Sequence, residues 1–191
     1  MASFAAAFVS VPRLGLVGAP TPLDVAPELA ARLGVTTLRL KRDDLFPALH
    51  GGTKVRKLDV LLAEATFQRA AAWIVAGAVG SGQVAAVVAA GRELGRPVHA
   101  HLFRTPLGEH GEENLAFTAS WAASVRAYRN QVDLALRAPR VVLALPTPAG
   151  VVVPIGATSP RSMLGCVLAG LELAEQLRAS DAPPADAVYL A

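Results

Sequence analysis

Only one cysteine, Cys166, stands among the 191 residues. A lone cysteine closes no internal disulfide, which fits a reducing, cytoplasmic setting. Its place in an apolar helical stripe reads as a small buried hydrophobe. Aromatic residues are scarce at 5%, which leaves few platforms on which bases could stack. Charge of one sign is thin as well. The 18 basic and 15 acidic residues leave a net +3, scattered along the chain, and form no stripe for nucleic acid. The apolar stretch 1–11 has no basic leading segment and meets Pro12 and Arg13 at once, so it does not read as a signal peptide. No apolar run is long enough to span a bilayer.

What the chain does have is apolar bulk. Hydrophobic residues make up 53% and the mean hydropathy is +0.42, enough to bury the core of one ordinary domain or two small lobes.

Strand and helix signals alternate along the chain. Asp24 can cap a short helix that Gly34 closes, and 36–40 is rich in strand formers. A helix follows the glycines at 51 and 52 and runs to about 70. Residues 72–76 read as a buried strand, 81–94 as a helix closed by Gly95 with Val84, Val87, Val88 and Gly91 on one face, and 98–103 as the next strand. Helix 111–122, strand 124–128, helix 131–137 and strand 141–145 continue the pattern, which predicts a parallel sheet with flanking helices. The cluster 146–150 (PTPAG) is a turn and a plausible hinge. Ser159 with Pro160 marks a helix start, the helix runs to about 178, Pro183 and Pro184 break it, and 187–190 reads as a strand.

The octapeptide 50–57 (HGGTKVRK) bears most directly on chemistry. It sets Lys54 where a glycine-rich loop becomes a helix, whose apolar stripe is Leu58, Leu61, Leu62 and Ala65. A lysine that condenses with an aldehyde needs an amine that deprotonates readily and a backbone that lets a flat molecule approach. A second candidate is Ser81. A serine at a helix N-cap, followed by unpaired N–H groups, is a ready anion site. The glycines at 77, 80 and 82 do not have dinucleotide-loop spacing, and the strand after them supplies no acidic residue for a ribose. Gly77 and Gly80 also suit simple close packing of a helix on a strand. His99 and His101 alternate on one strand face without a third ligand, and read as edge or surface residues with no metal. The KRDD run at 41–44 fits a solvated, self-paired patch and equally a role in shaping the lysine pocket.

Taken in order, TPL at 21–23, KRDD at 41–44, HGGTKVRK at 50–57, GAVGSGQ at 77–83 and VPIGATSP at 153–160 resemble one family. It is the 1-aminocyclopropane-1-carboxylate (ACC) deaminase and D-cysteine desulfhydrase branch of the pyridoxal-phosphate enzymes with the tryptophan-synthase-β fold. The resemblance runs from about Val11 to the last residue. It implies an α/β, two-lobed parallel-sheet sandwich (fold type II). Residues 1–54 with 155–191 would form an incomplete large cofactor domain, and 55–154 the small α/β domain. Lys54 would bind pyridoxal 5'-phosphate as an imine. Ser81, Gly82 and Gln83 would face the substrate carboxylate, with Ser81 also placed for proton transfer and position 82 facing the cofactor ring. Two positions depart from the pattern: Thr53 stands where asparagine is usual, and Gly82 where asparagine or histidine is usual.

The implied reaction is deamination of a small amino acid by elimination or cyclopropane ring opening, giving a 2-oxo acid and ammonia. The implied setting is a cytoplasmic homodimer in full-length form, with no nucleic acid and no membrane. In the family a glycine-rich phosphate turn and much of the large domain follow the last strand. The chain therefore reads as truncated, holding no stoichiometric cofactor by itself. An inactive lobe or binding module is the alternative. A β-replacement enzyme of the same fold is a further one, against which the TKVRK block argues.

Overall fold

The computed structural model describes residues 10–46, 52, 54–179 and 184–189. Its centre is a four-stranded parallel sheet. The strands are β3 (Trp73–Ala78), β4 (Val98–Phe103), β5 (Ser124–Tyr128) and β6 (Val151–Val153), in the spatial order β5-β4-β3-β6. A separate antiparallel pair joins β1 (Leu23–Val25) to β2 (Arg39–Lys41), with Leu23 opposite Lys41.

β3 is apolar throughout because both faces of the sheet are covered. Trp73 and Val75 point to one face, where Val98, Ala100 and Leu102 of β4 join them. Helices α2 (Lys54–Leu61) and α4 (Gly82–Glu93) pack there through Val55, Leu58, Val84, Val87 and Val88. Ile74, Ala76 and Val152 point the other way, against Leu134 of α6 (Gln131–Arg137) and Val141 of α7 (Pro139–Val142). The remaining helices are α1 (Pro27–Leu33), the short α3 (Ala65–Arg69), α5 (Glu109–Trp121) and α8 (Leu164–Ala179). Among the described residues no helix is long and apolar enough to cross a membrane.

Several expectations need correction. Residues 141–145 are not a strand. Pro139, with its preset φ, opens the one-turn helix α7, and the fourth parallel strand is β6, ten residues later. Both segments are short apolar runs, which periodicity alone does not separate. Asp24 does not cap α1. The cap position is Ala26 and makes no side-chain bond, while the Asp24 carboxylate accepts from Arg42. Gly34 does close α1, at φ 68°. The expected strand at 36–40 is confined to Arg39–Lys41. The helix expected to reach about 70 breaks into α2 and α3. Helical hydrogen bonding starts at Ser159, yet α8 proper begins at Leu164, after Ser159 and Ser162 cap each other reciprocally. Residues 187–189 form no strand, and Leu190 and Pro183 lie outside the described residues. Cys166 is only partly buried.

α8 crosses α2 closely at Gly165. A Cβ there would lie 2.0 Å from the carbonyl oxygen of Arg56, whereas one at Gly170, on the same helix, would meet nothing within 4 Å. Gly165→Ala should therefore destabilise the fold by about 1–3 kcal/mol through overpacking. Gly170→Ala should stabilise it by up to about 1 kcal/mol through helix propensity. Urea unfolding of the two variants checks the opposite signs.

Candidate active site

Lys54 is the first residue of α2 and is exposed. Gly52 precedes it at φ 84°, and a Cβ there would meet nothing within 4 Å. The Gly52 N–H donates to the carbonyl of Asp43 at 2.7 Å, and the Gly52 carbonyl accepts from Val55 at 3.1 Å. Left-handed glycine backbone thus turns the chain into the helix beside open space. Thr53 lies outside the described residues.

Two residues on, Arg56 is only 3% exposed. Its Nε and Nη2 each donate to the Asp43 carboxylate at 2.7 Å. Its Nη1 and Nη2 donate to Glu172 of α8 at 2.9 and 3.1 Å, and Nη2 also reaches Thr21 Oγ1 at 3.1 Å. Thr21 Oγ1 donates in turn to Asp43 at 2.8 Å. Lys41 pairs with Glu172 and donates to the Thr21 carbonyl at 2.6 Å and to Gln176 at 2.7 Å. Phe46 lies under the guanidinium, 5.2 Å from it to the ring centroid. Burial pushes the Asp43 and Glu172 carboxyls up. Hydrogen bonds outweigh it, from Arg56 and Thr21 on Asp43 and from Arg56 and Lys41 on Glu172, and hold both below the ordinary carboxylate range. Burial lowers Arg56, but its two carboxylates raise it further.

The KRDD run therefore divides. Arg42 pairs with Asp44 and Asp24 near the surface, as a self-paired patch would, while Lys41 and Asp43 enter the buried network.

Ser81 is the N-cap of α4, and its Oγ accepts from the Val84 N–H at 3.4 Å. Gly82 is exposed, and a Cβ there would find only Asn114 Nδ2, at 3.7 Å. Gln83 is buried, and its amide is fully engaged. Its Nε2 donates to the Pro154 carbonyl at 2.9 Å and its Oε1 accepts from the Gly156 N–H at 2.6 Å. The Gly156 carbonyl accepts from Lys57 Nζ at 3.4 Å, and Lys57 also reaches Thr158 Oγ1 at 3.1 Å. The turn Ile155–Ala157 is thus tied to α4 on one side and α2 on the other. Lys54 stands one helical turn before Lys57, on a neighbouring position of the same face.

The chain has three lysines: Lys41, Lys54 and Lys57. The amines of Lys41 and Lys57 are bonded as described. Lys54 has no hydrogen-bond or ion-pair partner among the described residues. An accessible primary amine, a glycine backbone beside it and the N-terminus of α4 together suit a flat aldehyde and a carboxylate.

Gly77 and Gly80 serve packing. A Cβ on Gly77 would lie 2.8 Å from Val84 Cγ2, and one on Gly80 2.7 Å from Gly111 Cα. His99 and His101 sit on β4, inside the sheet rather than at its edge. His99 bonds Ser124 Oγ at 2.8 Å, and His101 is buried and bonds Tyr128 Oη at 2.7 Å. No group of metal-ligating side chains occurs among the described residues. Sequence reasoning missed Arg56, Thr21, Glu172 and Gln176. Thr21 and Arg56 lay inside the quoted motifs, but no local signal links them to residues more than a hundred positions later.

Residues 14–191 match the family described as pyridoxal-phosphate dependent enzyme, and the chain belongs to it. It is 36% identical over 174 residues to D-cysteine desulfhydrase from Salmonella paratyphi C (strain RKS4594), covering 86% of this chain and 52% of that one. The crystal structure of an ACC deaminase homologue superposes with a TM-score of 0.75 at 29% identity, over 93% of this chain and 54% of that one. A fungal L-serine ammonia-lyase from Rhizomucor miehei shares the fold at a TM-score of 0.62 and 22% identity, over 86% of this chain and 49% of that one. The fold is thus that of the two-lobed pyridoxal-phosphate enzymes, and the chain spans about half the length of the curated relatives it matches.

The ion network gives a pH dependence with a definite sign. The folded-state pKa values of Asp43 and Glu172 are depressed, so their stabilisation is complete above the unfolded carboxylate pKa of about 4. It is lost as pH falls through the lower folded values. Asp43→Asn should cost about 3 kcal/mol at pH 7 by leaving part of Arg56 unpaired. The variant should also lose less stability than the parent as pH falls below the ordinary carboxylate range. Chemical denaturation across that range measures both effects.

Proposed function

We propose that the chain carries the amine-bearing part of a pyridoxal-phosphate enzyme that deaminates a small amino acid. The reaction would be elimination as in D-cysteine desulfhydrase, or cyclopropane opening as in ACC deaminase, giving a 2-oxo acid and ammonia. The observation that carries this reading is the meeting at Gly156 of three motif segments: the Lys54 helix, the Ser81 loop and the VPIGATSP turn.

When bound, the cofactor supplies an aldehyde that captures amines and an electron-poor ring that stores the charge left by bond cleavage at the substrate α-carbon. Everything else falls to side chains and backbone. Lys54 Nζ would hold the cofactor's aldehyde and would move a proton at the substrate α-carbon. The first N–H groups of α4 have no intrahelical acceptors and bind the substrate carboxylate. Ser81 Oγ, on the same cap, is placed to pass a second proton. Gln83 acts through the backbone by fixing the turn 154–156 against that cap. Both ACC and D-cysteine suit this set, since each presents one carboxylate and one α-amine. The proposed division into 1–54 with 155–191 and 55–154 is supported by the direct bonds from Thr21 and Lys41 to Glu172 and Gln176, while Arg56, from the other part, joins the same network across the boundary. We also propose a homodimer in the cytoplasm for the full-length protein.

The test uses the three lysines. After incubation with pyridoxal phosphate, borohydride reduction and peptide mapping should place the label on Lys54 in preference to Lys41 and Lys57. Lys54→Ala should abolish that label. Label spread over all three lysines would count against the site.

A second reading, a non-catalytic lobe that binds a partner, is favoured by one observation: apolar side chains lie open at the start of α8, with Met163 at 41% and Val167 at 36%. Exposed apolar patches of this kind mark interfaces. Light scattering on the isolated chain should therefore show self-association. Release of pyruvate or 2-oxobutyrate from it would decide for the enzymatic reading.

A further inference from the structure

Asp43 holds the chain on both sides of Lys54. Its main-chain carbonyl takes the N–H of Gly52 at 2.7 Å, two residues before the lysine. Its carboxylate takes the Nε and Nη2 of Arg56, two residues after it, each at 2.7 Å. Asp43 is itself held by Thr21 Oγ1 at 2.8 Å. The Arg56 guanidinium is held on its remaining edge by Glu172, and its main chain is packed against α8 at Gly165. The loop end and the helix start that flank Lys54 are therefore anchored to one residue, while the lysine side chain stays exposed.

We propose that Asp43 is the positioning residue for Lys54. By fixing Gly52 and Arg56 at once, it sets where the lysine backbone stands and so where the amine reaches, without touching the amine. A planar two-point contact between guanidinium and carboxylate suits this role, since it fixes orientation as well as distance. Asp44, the adjacent carboxylate, lies on the surface and pairs with Arg42, which makes it the internal control. The proposal rests on the reading of Lys54 as the cofactor amine, and the experiment separates the two.

The experiment is competitive labelling of the 191-residue chain with pyridoxal phosphate and borohydride, read as the ratio of label on Lys54 to label on Lys57. Lys57 lies on the same helix and reports any general loosening of it. The ratio is expected to be well above one in the parent and to fall at least about five-fold in Asp43→Asn, with the Lys57 label unchanged. It should recover in large part in Asp43→Glu and stay at the parent value in Asp44→Asn. Circular dichroism at the labelling temperature establishes that each variant is folded. If Asp43→Asn is not, Thr21→Val serves in its place: it removes one contact to Asp43 and one to Arg56, leaves the ion pair between them intact, and is expected to lower the ratio about two-fold. A parent ratio near one overturns the reading of Lys54, and this inference with it. A high parent ratio that Asp43→Asn or Thr21→Val leaves unchanged overturns the positioning role alone. So does a parallel loss of label on both lysines.

Discussion

The guanidinium of Arg56, out of water and clasped by two carboxylates, is the constraint around which this chain is arranged. A buried charge is costly unless it is paired and its remaining donors are satisfied. Here each guanidinium nitrogen has a partner. Asp43 takes one edge, Glu172 the other, and Thr21 Oγ1 the residual geometry of Nη2. Glu172 in turn brings a second cation, Lys41, whose other bonds go to the Thr21 carbonyl and Gln176. Two cations and two anions thus close on themselves. They join the segment before β1, the end of β2, the start of α2 and the middle of α8. None of these segments shares a strand with the four-stranded sheet, so the network supplies much of what holds them to α2. Such a network favours one arrangement more strongly than it adds net stability, since isosteric apolar packing often does as well energetically.

Much of the parallel sheet was legible because its signals are local. β4, β5 and α6 fall on the residues that alternation and turn chemistry mark, and β3 starts one residue later and ends two residues later than expected. Ser81 caps α4, and Gly34 closes α1 in the left-handed region. What was not legible depended on tertiary neighbours. The runs 141–145 and 151–153 have the same apolar, β-branched character, and only the second finds an open edge of β3 to pair with. Asp24 has a good cap composition, but Arg42 offers its carboxylate a charged partner across the β1–β2 ribbon, and the helix starts on Pro27 without a side-chain cap. His101 alternates with His99 as a surface residue would. Yet β4 is an interior strand, and the ring stacks 5.6 Å from that of Tyr128. Burial, followed by the nearby Arg126 and His99, pushes its pKa down.

The candidate site was legible in its parts and not in their wiring. The octapeptide marked Lys54, and the scarcity of lysine was present in the sequence as a second signal, since a chain with three lysines offers few amines to choose from. What sequence could not supply was the commitment of the other two: Lys41 to an acid on α8 and Lys57 to the Gly156 turn. Gln83 illustrates the same limit. Its place beside Ser81 suggests a side chain facing the substrate, but the amide spends both ends on the backbone at 154 and 156.

These commitments narrow what is left for chemistry. Most polar side chains of these motifs hold one another: Thr21, Lys41, Asp43 and Arg56 in the ion network, Gln83 and Lys57 on the turn. Against that background three groups remain uncommitted or nearly so among the described residues: the Lys54 amine, the Ser81 hydroxyl proton, and the leading N–H groups of α4 beside Gly82. An amine, a proton carrier and an anion site are what a deaminating enzyme must supply around an aldehyde cofactor. On the proposed reading they stay available while their neighbours are tied to one another. A side chain at position 82 would crowd nothing, so the glycine there is not required by packing. Its effect is to leave the leading backbone of the α4 cap uncovered on the side that faces Asn114.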